Sequence, residues 1–424
     1  LKKLNRKIPP PVHGVQNIAV PPPVVHHLDN GIQVVETRMG TQPVLKLEIC
    51  FRAGRAVEHK RTVAYAATRL LRDGTTSKNS KEIAELLDFY AGTFATHPGW
   101  DTSAVSLFCL TKHFESLIPI VADMIQNPTY PQHELQTFID KNIRELQVDL
   151  TQSDTLSYRK LTELLFGDNM PYGYSSVADD YKALTINDLK QYHQEQLTTD
   201  NCVIFIGGAV DSHILKLLNQ YMGQPKSVSV KIKNILCNND YPKTAVHIKN
   251  DSGLQTSIRI GRRFGSKLNP DYAGASVVNL ILGGYFGSRL MKNVREDKGF
   301  TYNISSSLDF MQYDGYWYIG TEVGTKLTQK ALEEIYKEME LLQKELVGAE
   351  ELEMVRNYCL GNMLNMIDGA FAIMDTVKPF FLEDLKEDVL QKLVHTIRHI
   401  TPEEIQILAK KYLKREDWLQ VTVG

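Results

Sequence analysis

Leu184 to Gly208 reads LTINDLKQYHQEQLTTDNCVIFIGG, and Ile400 to Gly424 reads ITPEEIQILAKKYLKREDWLQVTVG. The two stretches align without a gap from end to end, Thr185 matching Thr401. Each opens on that Thr with an acid one turn on, Asp188 or Glu404, then runs through helical periodicity into an apolar strand-like end. The Thr hydroxyl can cap the helix, and an acid in the first turn is favoured by the helix dipole. A second pair, His133-Glu134-Leu135 and Glu350-Glu351-Leu352, opens two long helical patterns at nearly the same offset. Two separated segments that agree within one position identify a tandem duplication.

The duplication divides the chain into similar halves, residues 1–222 and 244–424, joined by a linker over 223–243 where QPKS, CNND and YPK supply turn chemistry. Val34 to Phe51 alternates as a strand should, and Thr256 to Phe264 is its counterpart. Lys81 to Tyr90 and His113 to Gln126 read as amphipathic helices, the latter stopped by Pro128 and Pro131. Strands and helices mixed in this way predict an α+β fold of two homologous domains, each a mainly antiparallel sheet packed against helices.

Composition narrows the function. The 424 residues carry 48 Lys plus Arg against 50 Asp plus Glu, with 43% hydrophobic residues, which is ordinary for a globular chain. A net charge of -2 offers no broad basic field for nucleic acid. The most apolar stretches, such as Ala275 to Leu282, are far shorter than the roughly 20 residues of a membrane-spanning helix. Cys50, Cys109, Cys202, Cys237 and Cys359 are odd in number and widely spaced, which argues against a disulfide framework or a thiolate zinc cluster and favours a reducing compartment. Leu1 to Pro23 is basic and Pro-rich with no apolar core of a signal peptide, so a cytoplasmic setting is expected, or a periplasmic one if such a peptide has been removed.

The histidines do not assemble a metal centre in the sequence. His395 and His399 stand at i and i+4 without a third ligand, and His26-His27 precede a strand; all four are expected at the surface. Gly283-Gly284 and Gly287 lack the flanks of a nucleotide fingerprint and read as a turn before a helix.

Thr62 to Thr75 (TVAYAATRLLRDGT), followed by Lys81 to Leu86, resembles the first helix of the pitrilysin or insulinase family of zinc peptidases. Active members carry H-x-x-E-H there, just before a basic-Gly-Thr turn. The three positions are here Tyr65, Thr68 and Arg69. A phenol, a hydroxyl and a guanidinium neither bind zinc nor activate water at neutral pH. The family's third ligand is a Glu on a later long helix. Glu145 falls at that place relative to Arg69, where it is expected as a helix carboxylate able to pair with Arg69. The resemblance thus implies no metal in this chain.

Leu282 to Ser306 (LGGYFGSRLMKNVREDKGFTYNISS) is similar to the same family's Gly-rich turn, "SRL" helix, Arg-Glu turn and Tyr-bearing strand. The resemblance places the family's substrate-facing Arg and Tyr at Arg295 and Tyr302. An Arg fork can grip peptide carbonyls or a carboxylate, and a phenol can donate to an oxyanion. On the edge strand that would bind peptide, the usual Asn-Ala pair is replaced by Ala95-Thr96. Leu28-Asp29-Asn30-Gly31 and Met170-Pro171-Tyr172-Gly173 extend the resemblance over nearly the whole chain.

The resemblance implies a non-zinc subunit that binds peptide and brings Arg295 and Tyr302 to a chamber shared with a zinc-bearing homologous partner. The alternative is an inactive scaffold or peptide-binding homologue, found as a homodimer or with unrelated proteins.

Overall fold

The computed structural model describes residue 15 and residues 18–224, 241–250, 254–383, 385–386 and 388–424. Positions 225–240 of the expected linker, Cys237 among them, lie outside the described residues.

The first half opens with β1 (Val24–His27), β2 (Gln33–Arg38) and β3 (Val44–Phe51), then α1 (Val63–Arg69) and α2 (Ser80–Phe89). A hairpin of β4 (Thr93–Pro98) and β5 (Ser103–Leu110) follows. Next come α3 (Phe114–Gln126), α4 (Gln132–Asp149), α5 (Ser153–Phe166), α6 (Ala178–Lys182) and α7 (Ile186–Gln196), and β6 (Cys202–Gly208) and α8 (Ser212–Met222) close the half. The second half runs β7 (Ala245–Ile248), β8 (Gln255–Arg263), α9 (Tyr272–Asn279), two π-helical turns at Leu280–Gly284 and Met291–Asp297, β9 (Ile304–Phe310) and β10 (Gly315–Gly324). It ends in α10 (Thr328–Lys344), α11 (Ala349–Leu364), α12 (Ala370–Leu382), α13 (Asp388–His399), α14 (Pro402–Tyr412) and β11 (Leu419–Val423).

The sheets have orders β1-β2-β6-β3-β5-β4 and β7-β11-β8-β10-β9, which coincide once β1 is set aside. Each is antiparallel except for one parallel pair, β2 with β6 and β7 with β11. The helices repeat as well: the starts of α4 and α11, Gln132 and Ala349, and those of α5 and α12, Ser153 and Ala370, share one constant offset. Thr185 and Thr401 cap α7 and α14, with Asp188 and Glu404 closing reciprocal capping boxes.

The single strand read over Val34 to Phe51 is two strands. Gly40, at φ +100, and the following Thr-Gln-Pro turn the chain out of the pleat, and β6 then lies between β2 and β3. His26 is not a free surface histidine, since its Nε2 lies 2.8 Å from the Glu36 carboxylate, which is buried. His395 and His399 are exposed on α13, their ring centroids 4.3 Å apart.

One face of each sheet is covered by helices of its own half, giving two large apolar cores. The opposite face is covered by a helix of the other half. On the first sheet, Val35, Val203 and Phe205 meet Ile373, Met374 and Val377 of α12. On the second, Leu419, Val421 and Tyr316 meet Leu161, Leu165 and Phe166 of α5. The approach of α5 explains Gly261 on β8, where a Cβ would stand 3.1 Å from both Leu161 methyls. Polar contacts pin the exchange: Lys378 Nζ donates to both Glu48 oxygens at 2.9 Å, and Arg259 Nη2 donates to the Asp154 carboxylate at 2.8 and 2.9 Å.

Candidate functional site

Helix α1 is short because Leu70–Arg72 tightens into a 3-10 turn before the Asp73-Gly74 bend. Its exposed side and the facing side of α4 enclose a hollow of about 350 Å³ beside the edge strand β4. Tyr65, Arg69, Thr96 and Glu145 all line it, together with Asp73, Glu134 and Lys141. Three of the four positions that the resemblance singles out, Tyr65, Arg69 and Glu145, are therefore brought together.

Thr68 is the exception. It is fully buried on the core side of α1, and its hydroxyl finds no partner among the described residues. Arg69 does not pair with Glu145, as the sequence suggested. Glu145 reaches Lys141 at 3.7 Å along its own helix, whereas Arg69 Nη1 donates to the carbonyl and hydroxyl of Thr96 at 3.3 and 3.2 Å. The nearer acceptors on β4 take the guanidinium. Tyr65 rests against Phe138 at 5.4 Å between centroids. Burial and the neighbouring Glu134 raise the Asp73 carboxyl to about 6.

The donor set does not fit zinc. Tyr65 packs on an aromatic ring, Thr68 faces the core, and Arg69 brings a permanent positive charge to the hollow. Among the described residues no three His, Cys, Asp or Glu side chains are placed to hold a metal ion.

Strand β4 is the edge of its sheet, with β5 as its neighbour. Antiparallel strands turn the backbone groups of alternate residues to opposite sides. The Thr96 carbonyl meets Arg69, so Thr96 presents its backbone outward and Ala95 faces β5.

A second hollow, of about 240 Å³, adjoins this one through Tyr65. Sequence reasoning missed its centre. Glu58 accepts from the Tyr174 hydroxyl, and Arg55, which donates to the Tyr174 carbonyl, lies 4.7 Å from the Trp100 ring centroid. Burial raises Glu58 to about 7, against the lowering effects of Tyr174, the Ala64 amide and Arg55. The clue in the sequence was a lone Glu in AGRAVEH, whose partner Tyr174 lies far along the chain.

Because the folded pKa of Glu58 exceeds its ordinary value of 4.5, the fold holds this proton more tightly than the unfolded chain. Its contribution is present below about pH 4.5 and is lost as pH rises towards 7, by about 3 kcal/mol at most. Glu58→Gln should abolish that loss, making the variant more stable than the parent by ~2 kcal/mol at pH 8. Urea unfolding at pH 5 and pH 8 checks this; an unchanged difference between the two proteins at the two pH values would remove Glu58 as the source.

In the second half, Arg295 lies in the π-helical turn Met291–Asp297 with its guanidinium 4.5 Å from the Phe286 ring centroid. Tyr302 is 91% exposed and precedes β9 rather than lying within it, because the Thr301 hydroxyl ties the Asn303 carbonyl into a bend. Both line one shallow hollow with Gln255 and Glu296. It shares no residue with the Arg69 hollow. Gly283-Gly284 end the first π-helical turn, and Gly287 lies in the bend that leads to the second.

Residues 183–359 match the Peptidase M16 inactive domain. The chain is 23% identical over 351 residues to a Bacillus subtilis protein described as the uncharacterized zinc protease YmxG, covering 81% of this chain and 84% of that one. It is 22% identical to the Helicobacter pylori non-peptidase homolog YmxG, over 88% of each chain. Its fold superposes with a TM-score of 0.85 on the peptidase M16 inactive domain from Pseudomonas fluorescens, 22% identical, over 95% of this chain and 98% of that structure. These matches agree with the paired sheets: residues 183–359 match the M16 family's inactive domain, and most of the chain is similar to M16 (pitrilysin/insulinase-type) relatives, while its sequence contains no H-x-x-E-H.

Proposed function

We propose that the chain is a non-zinc subunit of an M16-type peptidase assembly: it binds extended peptide and supplies Arg295 and Tyr302 to a chamber completed by a zinc-bearing homologous partner. The observation that carries this reading is the contrast between the two hollows. The first half has Tyr65, Thr68 and Arg69 where a zinc peptidase needs ligands and a base, while the second keeps Arg295 and Tyr302 at the surface of one hollow. A phenol that is 91% exposed contributes little to the core, so its retention is better explained by something it meets. Peptide would add along β4 through backbone hydrogen bonds.

Purification from the native source, with elemental analysis and mass spectrometry of whatever accompanies the chain, tests the assembly. A stoichiometric zinc-bearing homologue is the expected companion. In the mixed enzyme, Arg295→Ala and Tyr302→Phe should each lower kcat/KM by about 10²-fold, the scale of removing one oxyanion donor. Unchanged turnover would sink the assignment of both residues.

The Helicobacter pylori relative, named a non-peptidase homolog, supports a second reading, a peptide-binding scaffold that takes part in no hydrolysis. A chain isolated with only itself or unrelated proteins, and indifferent to both substitutions, would favour it.

A further inference from the structure

The two halves tie their edge strands in the same way and with different chemistry. The last residue of α9, Asn279, accepts from Ser306 of β9 at 2.7 Å; the last residue of α1, Arg69, donates to Thr96 of β4. Asn279 corresponds to Arg69 and Ser306 to Thr96 at one common offset across the duplication. An amide completes the tie in the second half, where the Tyr285 and Tyr358 rings, 4.7 Å apart, and the Arg289–Glu351 pair occupy the space facing α11. The first half leaves the hollow open and puts into it a guanidinium whose hydrogen bonds to protein come from one nitrogen, Nη1.

A guanidinium has five N–H donors in a flat fork. Nε and Nη2 of Arg69 remain for a ligand, and among the described residues no carboxylate lies within ion-pair distance of it. Of the acids lining the hollow, Glu145 is held by Lys141 and Glu134 by Ser80 Oγ at 2.6 Å. Asp73 feels Glu134 on one side and the Arg72 and Arg69 charges on the other. Arg69 also covers the Thr96 carbonyl, the acceptor that a strand running on along β4 would need. A peptide paired with the edge must therefore stop at this point, against a positive charge and a free fork.

We propose that Arg69 makes the former zinc position a carboxylate site, which takes the C-terminus of a peptide laid along β4. An N-terminal ammonium would be repelled there, whereas a carboxylate accepts two parallel hydrogen bonds. The proposal rests on the peptide-binding reading of the edge strand and adds the end of the chain that is read.

The test uses the whole chain and two pools of random octapeptides, one with free C-terminal carboxyls and one amidated, captured at equal concentration and read by mass spectrometry. The free-acid pool should be retained at least tenfold better. Arg69→Gln, at an exposed position, should bring retention of the free-acid pool down to that of the amidated pool, with the melting temperature unchanged. Equal retention of both pools by the parent would overturn the carboxylate site and leave strand addition standing. Retention of neither would overturn both. Enrichment of Asp or Glu within the amidated pool, lost in Arg69→Gln, would overturn the C-terminal form in favour of a side-chain carboxylate.

Discussion

A polypeptide of residues 1–224 expressed alone should be insoluble or molten, and co-expression with residues 241–424 should recover a folded complex. The duplication suggests two self-sufficient domains, but each sheet is finished by a helix from the other half. Without α12, the fully buried Val35, Val203 and Phe205 face water, and Ile373, Met374 and Val377 lose their seat. Burial of each such side chain contributes about 1.5–3 kcal/mol, so the exposed set amounts to roughly 10 kcal/mol, comparable with the whole stability of a typical domain. The point substitution Val377→Asp should act in the same direction by placing a carboxylate without a partner between helix and sheet, at a cost of about 4 kcal/mol or more. Near-ultraviolet circular dichroism and thermal melts of the separate and joined halves decide the matter. A soluble first half that melts cooperatively on its own would refute the exchange as a stability requirement.

Asp314→Ala should destabilise the chain by about 3–5 kcal/mol, more than a surface ion pair ever could. Arg263 at the end of β8 and Asp314 before β10 are both buried and joined, and Asp314 also accepts from the Gly315 amide at 2.8 Å. Removing the carboxylate takes the counter-ion from a guanidinium that lies 5.3 Å from the Phe166 ring centroid of α5, inside the contact between the halves. The cost is that of a buried charge deprived of its counter-ion rather than the net worth of the pair. A double replacement, Arg263→Met with Asp314→Leu, should therefore recover most of the loss. Denaturant unfolding measures all three variants; a loss below about 1 kcal/mol for Asp314→Ala would show the cation finds water instead.

Much of the fold was legible from the residues alone. A gapless repeat carried the duplication, and capping residues at Thr185 and Thr401 marked two helix starts that the structure reproduces. These signals are local, since a cap joins atoms within one helical turn and a strand alternates with period two. The break at Gly40 was missed because alternation continues through the turn on either side of it, and the sequence carries no mark of which strands β6 will enter between. That Tyr65, Thr68 and Arg69 cannot supply a zinc donor set was legible by residue type, because it follows from their chemistry alone. Which groups those residues touch was not. Thr68 turned to the core, and Arg69 donates to Thr96 while Glu145, on the same hollow, is held by Lys141 of its own helix.

Repeats, caps and residue types are properties of short segments, and they suffice to establish a duplicated α+β chain without an H-x-x-E-H set, whose motifs resemble the pitrilysin or insulinase family. The exchange of α5 and α12, the Glu58 carboxyl half-buried with Arg55 and Tyr174 and raised to about 7, and the free fork of Arg69 beside the β4 edge emerge only when the chain is folded. Each of these depends on groups well separated along the chain, brought together because every sheet has a second apolar face to bury and every buried charge needs a partner.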